Sequence, residues 1–501
     1  MSQAAGLRAG WPAARRRELM VCIGVALALV TLRSAVSVLW ERAFDSDQAI
    51  IGLMAKHLSE FTTFPLFFYG QNYMLGVQSW IAVPFFWIGG PTVAMLRLPL
   101  LLINGAVAAA LILIFSRLGI RPLLALVAVL PLAATTPVVS GALVETIGAS
   151  IEPFAYVLIL WALRRRPGWW GPIFCLAVLH REFTLFAAPA MVVAQWRERQ
   201  WWTAAGAGRA AAGFAAMWIL IDVLKRTLNA YGPPGGDHAS SSLVLEAQQI
   251  LMWLSFDLQP YLARTGQVLL EALPDMMGAR SHTLASYGLF SAISAGSLLA
   301  GIALALASAV AVWRIPTLMR KTAPEAREDA LMLYLALIGL QAMLAYGLNS
   351  GISATDPPVV RYLLFTLLLP VALLAWFFLR ERARTLRAVV AVSIVLWAAG
   401  NVVDTSRLLR EYLQSPPPNP HREMADYLVE RGIRFGRAGY WDAYVITFLA
   451  RERVILASTG KVRISAYQSR VDQHGWEVVV LTRQPCTSAT RIAAWCIDGP
   501  E

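Results

Sequence analysis

Charge is scarce in this chain. Of its 501 residues only 15% are Asp, Glu, Lys or Arg, while 57% are hydrophobic. Soluble domains carry about 25% charged residues, so a water-soluble globule is excluded. The mean hydropathy of +0.56 says the same. Cysteine is also sparse. There are four, and no spacing among them suggests a metal site. Cys22 and Cys175 fall inside apolar runs and read as buried thiols. No internal repeat of the kind that builds paired transporter halves is visible. No small-residue cleavage site follows the first apolar run, which therefore reads as an anchor and not a removed signal peptide.

What the chain has instead is apolar runs of about 20 residues, the length that crosses a hydrocarbon core of about 30 Å. Counting gives about eleven spans, near 19–40, 92–116, 121–139, 148–163, 170–180, 183–195, 203–223, 287–313, 330–348, 360–379 and 387–403. The net charge of +12 invites a nucleic-acid partner. Its distribution argues against one, because the basic residues cluster in short turns between spans, the positive-inside pattern. Arg15, Arg16 and Arg17 precede the first span. Arg117 with Arg121, Arg164 to Arg166, Arg197 with Arg199, Arg314 to Arg327 and Arg380 to Arg387 mark further inside turns. Trp169, Trp170, Trp201 and Trp202 sit beside two of these clusters, as interfacial aromatics do. The N-terminus is expected in the cytoplasm of a bacterial cell, in its inner membrane. An odd number of spans puts the C-terminus outside.

The expected domains are a polytopic α-helical membrane part over 1–403, a linker over 404–420 that contains Pro416, Pro417 and Pro418, and a small external α/β domain over 421–501. Two external loops lie near 41–91 and 224–286. In the tail, 421–431 has helical spacing, and 453–456 and 477–481 are runs of strand length. Cys486 and Cys496 lie in this tail, on the oxidising side, so a disulfide between them is expected.

The chemistry gathers in the first loop. Asp45-Ser46-Asp47 stands just past the outer end of the first span, and Gln48 to Leu58 reads as an amphipathic helix lying along the membrane. A carboxylate here can take the proton of an acceptor hydroxyl, or Asp47 can simply cap the helix that follows. His180-Arg181-Glu182 falls at the apex of a short hairpin between two inside turns. Ionisable residues in an apolar stretch are costly unless they face a polar cavity or each other.

The segments FDSDQAIIGLMAKHL, PLFFYGQNYMLGVQSWIAVPFFWIGG and LRLPLLL together resemble the first external loop of the GT-C superfamily. More narrowly they are similar to glycosyltransferase family 39, which includes protein O-mannosyltransferases and the aminoarabinose transferase of lipid A. Arg361-Tyr362 resembles that family's Arg-Tyr pair at the outer start of a span. Tyr440-Trp441-Asp442-Ala443-Tyr444 resembles part of the external domain of many bacterial members. The resemblance implies a GT-C-like fold with interfacial helices in the first loop. It implies an inverting glycosyltransferase that moves a sugar from a polyprenyl-phosphate carrier to a lipid, glycan or protein acceptor. Asp47, in the place of the family's first acid, is the implied base, with Asp45 assisting and Gln48 standing where Glu is usual. Arg361 and Tyr362 are implied at the donor phosphate, and His180 and Arg181 of the hairpin are expected beside them. Glu182, Tyr69, Gln71, Tyr440, Trp441, Asp442 and Tyr444 are expected around the acceptor, or the aromatics among 440–444 pack the core of the small domain. No cofactor is required, though two close acids leave room for a divalent ion. Two other readings stay open: a transporter or flippase of a lipid-linked or anionic substrate, and a non-catalytic envelope-assembly protein that keeps this fold.

The topology is testable directly. Reporter fusions after Gly119, Arg166, Arg199, Lys321 and Arg384 should report the cytoplasm, and one after Gly460 the outside. A cytoplasmic signal at Gly460 would overturn the span count.

Overall fold

The computed structural model describes residues 11–71, 74–147, 150–198, 202–230, 256–278, 299–313, 323–353, 358–483 and 491–499. In chain order the helices begin with α1 (Ala13–Leu39), α2 (Ser46–Ser59), α3 (Val77–Gly89), α4 (Val93–Arg117) and α5 (Pro122–Ala133). Then come α6 (Pro137–Ala142), α7 (Glu152–Leu163), α8 (Pro167–His180), α9 (Ala187–Glu198) and α10 (Ala204–Ala230). Further on, Leu258–Gln267 continues through a π-helical turn into Leu273–Met276. Leu299–Trp313, Ala323–Leu348, Val360–Arg380 and Arg384–Gln414 complete the bundle. Where described, the expected spans fall on helices, except that 121–139 breaks at Ala134–Thr136 between α5 and α6 and 183–195 opens in a 3-10 turn over Glu182–Phe186. Six helices among the described residues are long and apolar enough to cross a membrane: α1, α4, α10, Asp329–Leu348, Val360–Arg380 and Arg384–Gln414. The hairpin of α8 and α9 is built from two short helices, of 14 and 12 residues. At 1.5 Å per residue neither reaches across the apolar core alone.

The last bundle helix runs on as one 31-residue element to Gln414. The expected linker over 404–420 is therefore helical for most of its length, and only Ser415 to Asn419 connect. The cause is that Arg, Leu and Glu after Val403 are good helix formers although they are polar. Falling hydropathy marks where apolar surroundings end, not where the helix ends.

The C-terminal part is α/β. Its sheet has the order β2-β1-β3-β5-β4, with β1 (Phe435–Ala438), β2 (Ile455–Ser458), β3 (Val479–Thr482), β4 (Arg491–Ile492) and β5 (Trp495–Asp498). The β1 strand pairs parallel with β2 and β3, and β5 pairs antiparallel with β3 and β4. Helices Pro420–Glu430, Tyr440–Leu449 and Ser465–Gln473 cover it. Cys496 is disulfide-bonded, and Cys22 and Cys175 are free thiols. Cys486 lies outside the described residues.

The first loop and the C-terminal domain share one hydrophobic core. Ile50, Leu53 and Met54 of α2, Phe68, and Ala82 and Phe86 of α3 pack in one cluster with Met424, Tyr444, Phe448, Leu456 and Trp495. The α2 helix is thus not a membrane-surface helix with one wet face. Ten of its 14 residues are buried, because the C-terminal helix Tyr440–Leu449 lies on it. Contact is close at Gly52, where a Cβ would stand 2.5 Å from Phe448 Cε2. Phe448 is 1% exposed and stacks near Phe44 and Phe86, so it has nowhere to move. Gly52→Val should therefore destabilise the protein by about 1–3 kcal/mol through overpacking. Thermal unfolding in detergent should show a lower midpoint, partly restored by Phe448→Ala in the same chain. Additive losses would show that the two do not meet.

Candidate functional site

The site begins with a strained turn. Glu41 and Ala43, neither of them glycine, have φ of 54° and 51°. This is a region that costs most residues free energy and persists where neighbours hold it. Here the holder is Arg97, 1% exposed, in the Leu-Arg-Leu run that opens α4. Its Nη1 donates to the carbonyls of Ser37 (2.5 Å) and Arg42 (2.8 Å). Its Nη2 donates to Gln48 Oε1 (2.7 Å) and to the Ala43 carbonyl (3.4 Å). Gln48 in turn donates Nε2 to the Ala43 carbonyl at 2.7 Å. A glutamate in its place accepts from Arg97 but has no proton for Ala43. Gln48 is thus a complete structural part and not a damaged acid.

This clamp sets the acid pair. Asp45, not Asp47, caps α2: its Oδ1 accepts from Gln48 N at 3.0 Å. The cap expected of Asp47 falls two residues earlier, which leaves Asp47 inside the first turn. There one Asp47 oxygen accepts from the Tyr440 hydroxyl. Ser46 Oγ donates to the Tyr440 carbonyl at 2.5 Å, so Tyr440 meets the start of α2 twice. Behind it, Arg463 Nε reaches the Tyr440 hydroxyl at 3.3 Å and Nη1 the Gly70 carbonyl at 2.9 Å. The Gln71 amide oxygen accepts from the same guanidinium at 3.0 Å in the orientation that satisfies both groups.

Two more charges complete the cluster. Glu145, in the turn after α6, acts electrostatically with Asp45, Arg97 and Arg361. Arg361 acts on Asp45 as well. Burial pushes the Asp45 carboxyl up from its usual range. The Gln48 N–H opposes this, the Asp47 charge adds to it, and Arg361 and Arg97 oppose it again. Burial also pushes the Glu145 carboxyl up, with Asp45 adding to the rise. Arg361 carries a buried Nε with no hydrogen-bond partner, and its guanidinium lies 5.3 Å from the centre of the Tyr362 ring. The segment that begins at Arg361 continues into the wall of an apolar groove of about 750 Å³, lined by Leu269, Leu273, Met277, Leu304, Met343 and Leu373 among others. Among the described residues no three His, Cys, Asp or Glu side chains converge as a metal-ligand set.

His180 and Arg181 are buried, and they belong to a neighbouring polar cluster. The Tyr156 hydroxyl and His180 Nδ1 lie 3.0 Å apart, and Glu152 lies 3.9 Å from His180 Nε2. Gln78 and Ser150 both donate to Glu152. This cluster adjoins the cleft of Arg361 and Tyr362 through Ser150 and Phe183. Glu182 is exposed.

The remaining expected acceptor residues separate. The Tyr69 hydroxyl meets His57 Nδ1 (2.9 Å) and Thr63 (2.8 Å). His57 Nε2 and Lys56 Nζ lie 3.0 and 2.6 Å from Glu452, which also accepts from the Tyr467 hydroxyl at 2.7 Å. Tyr69 thus belongs to a polar clamp that fastens the loop to the C-terminal domain. The Tyr444 hydroxyl accepts from the backbone of Arg463 at 2.7 Å. Asp442 is held by His421 (3.0 Å) and Arg483 inside the domain. Trp441 is 58% exposed. Glu145, Arg97 and Arg463 were not expected. Arg97 carried a signal in the Leu-Arg-Leu run, but a lone acid in a loop carries none.

Neither a protein-family model nor a curated protein matches this sequence. Solved structures do match. ArnT from Cupriavidus metallidurans in the apo state aligns at 11% identity with a TM-score of 0.52, over 97% of this chain and 98% of that one. ArnT bound to undecaprenyl phosphate gives 11% and 0.49, over 95% and 97%. The Archaeoglobus fulgidus oligosaccharyltransferase in complex with Zn and sulfate gives 13% and 0.48, over 92% and 68%. The likeness to apo ArnT is one of fold over almost the whole chain. A GT-C-like fold is what the loop motifs imply, and the likeness in fold agrees with that expectation.

The polar clamp generates a pH prediction. Burial alone would raise the Glu452 carboxyl, but His57, Lys56 and Tyr467 outweigh it and hold it at about 2, below the usual 4.5. A depressed carboxylate adds stability above its unfolded value and loses it as pH falls through the folded one. The thermal midpoint should therefore drop between about pH 4.5 and 2. Glu452→Gln should flatten that part of the profile, and an unchanged slope would remove Glu452 as the cause.

Proposed function

We propose that this GT-C-fold protein transfers a sugar from a polyprenyl-phosphate carrier to a hydroxyl acceptor on the external face of the inner membrane. One observation carries the reading. Arg361, with an unpartnered Nε, stands within electrostatic reach of Asp45 and Glu145, and the chain that follows it, from Thr366 to Leu373, lines an apolar groove. An amphiphile with an anionic head and a long apolar tail fits that pairing. A guanidinium offers a phosphate two parallel hydrogen bonds. The bundle helices would place the groove in the hydrocarbon layer and α2, α3 and the C-terminal domain at its outer surface, with the N-terminus in the cytoplasm.

The reaction is a single displacement. The acceptor oxygen forms a bond to the anomeric carbon as the bond from that carbon to the phosphate oxygen breaks. The acceptor proton passes to a carboxylate, and the carrier leaves as polyprenyl phosphate. Asp47 is the base in this reading. One of its oxygens is engaged by the Tyr440 hydroxyl, and the other is left for the acceptor. Asp45 is less suited, because its Oδ1 already holds the helix cap. Arg361 binds the departing phosphate, with Tyr362 beneath it and His180 and Arg181 in the adjoining cluster. Tyr440, backed by Arg463, fixes the Asp47 carboxylate. The C-terminal domain is thereby part of the site and sets where the acceptor enters.

Asp47→Asn should leave stability nearly unchanged and lower transfer by about 10²–10⁴, the span of a lost general base. Arg361→Lys should weaken donor use more than acceptor use, since an ammonium lacks the planar fork. The assay is sugar transfer from a lipid carrier in membranes. Full activity in Asp47→Asn would move the base to Asp45 or Glu145.

A further inference from the structure

The end of the bundle remote from Asp47 holds a second polar cavity that the proposed reaction does not use. It measures about 260 Å³. Four elements meet there: Arg164 and Arg165 after α7, Pro167 at the start of α8, Gln195 and Glu198 in the last turn of α9, and Trp202 to Arg209 entering α10. The helices α8 and α10 converge because glycines let their backbones touch. A Cβ on Gly171 would stand 2.0 Å from the Ala210 carbonyl oxygen, and one on Gly213 2.7 Å from Pro172 Cδ. The cavity is therefore built by packing and does not arise from a loose turn.

Its charges are unequally matched. Glu198 is buried and accepts from Arg164 Nε and Nη2 at 3.4 Å each. The Arg164 guanidinium also lies 4.2 Å from the centre of the Trp161 ring. The Arg164 carbonyl accepts from Trp202 Nε1 at 2.7 Å and from Gln195 Nε2 at 3.4 Å. The one acid of the cavity is thus committed to Arg164. Arg165 and Arg209, both exposed on its rim, have no ion pair among the described residues. Of the other arginines near this end, Arg121 pairs with Glu18 at 2.9 Å and Arg380 with Asp329 at 2.8 Å, while Arg166, Arg382 and Arg384 make no ion pair among the described residues but do not line this cavity. Topogenic charge needs no cavity, and here two unpaired guanidiniums frame one. Trp169 and Trp196, 66% and 51% exposed, lie on the adjoining helix turns, as aromatics at a headgroup layer do.

We propose that this cavity binds the phosphate of an anionic phospholipid headgroup, clamped between Arg165 and Arg209. Guanidinium pairs suit phosphate oxygens. Basic pockets between membrane helices on the cytoplasmic side are a known setting for such heads. The site is independent of the donor site, and its role is to fix the α7–α10 corner in the inner leaflet.

The test uses the full-length protein in phosphatidylcholine micelles and follows thermal unfolding as phosphatidylglycerol or inorganic phosphate is added. Phosphatidylglycerol should raise the midpoint, and native mass spectrometry should show it retained. In Arg165→Gln/Arg209→Gln the concentration for half effect should rise about thirtyfold, with the midpoint in phosphatidylcholine alone unchanged. Arg382→Gln/Arg384→Gln removes the same charge from the same end outside the cavity, and should leave that concentration close to the unmodified protein's. Stabilisation by phosphatidylglycerol alone identifies a lipid head. Equal stabilisation by inorganic phosphate identifies a phosphate taken from solution. No effect of either, or equal losses in both double variants, overturns the site.

Discussion

A single buried guanidinium sets the frame on which the acid cluster rests. Arg97 ties the last turn of α1, at Ser37, and two carbonyls of the turn that follows it to the side chain of Gln48. A buried charge is expensive unless its donors are met, and here three backbone oxygens and the Gln48 side-chain oxygen accept from it. What the arrangement secures is geometry. Two non-glycine residues are kept at positive φ, and the chain therefore enters α2 with Asp45 as its cap and Asp47 one turn face further round. Loss of Arg97 would leave the turn free to relax and the carboxylates without a fixed direction. The acid pair is thus positioned from below by the membrane helices and from above by Tyr440.

Much of the architecture was legible because a bilayer imposes a simple rule. Apolar runs of span length and clustered arginines record it, and the helices follow those runs. The Asp45-Ser46-Asp47 stretch was legible as acids at the outer end of the first span, Arg361 through the resemblance of Arg361-Tyr362 to a family pair, and His180-Arg181-Glu182 as charge in a costly place. The misplaced cap has a local cause: Asp45 and Asp47 are equally good cap residues, and sequence does not fix a helix start to within two positions. Glu145 was invisible because its role depends on α6 packing against α1 and the start of Val360–Arg380, contacts without a periodic signature.

The burial of α2 was hidden for a different reason. The run Gln48 to Leu58 has the apolar content of a helix that meets an oily neighbour. Lipid and protein core satisfy that demand equally, so hydropathy cannot say which one is there. The answer came from Gly52 and Phe448, almost 400 positions apart. In the same way the segment of Tyr440 to Tyr444 could pack a small core or line an acceptor cleft, and Tyr444 and Asp442 serve the domain's own hydrogen bonding. An aromatic-rich segment reads alike whether it lines a cleft or fills a core.

The shared core also dictates an order of events during synthesis. Helix α2 is made within the first sixty residues, yet the Tyr440–Leu449 helix that covers it emerges some 380 residues later. At about 5–20 residues per second, the newborn loop waits roughly 20–75 s with its apolar face uncovered. During that interval only the bilayer surface or a chaperone can shelter it. The acid cluster is consequently unfinished until the last fifth of the chain has been delivered and docked. A ribosome that stalls anywhere before that point releases a protein with most of its membrane helices and an open, incomplete site.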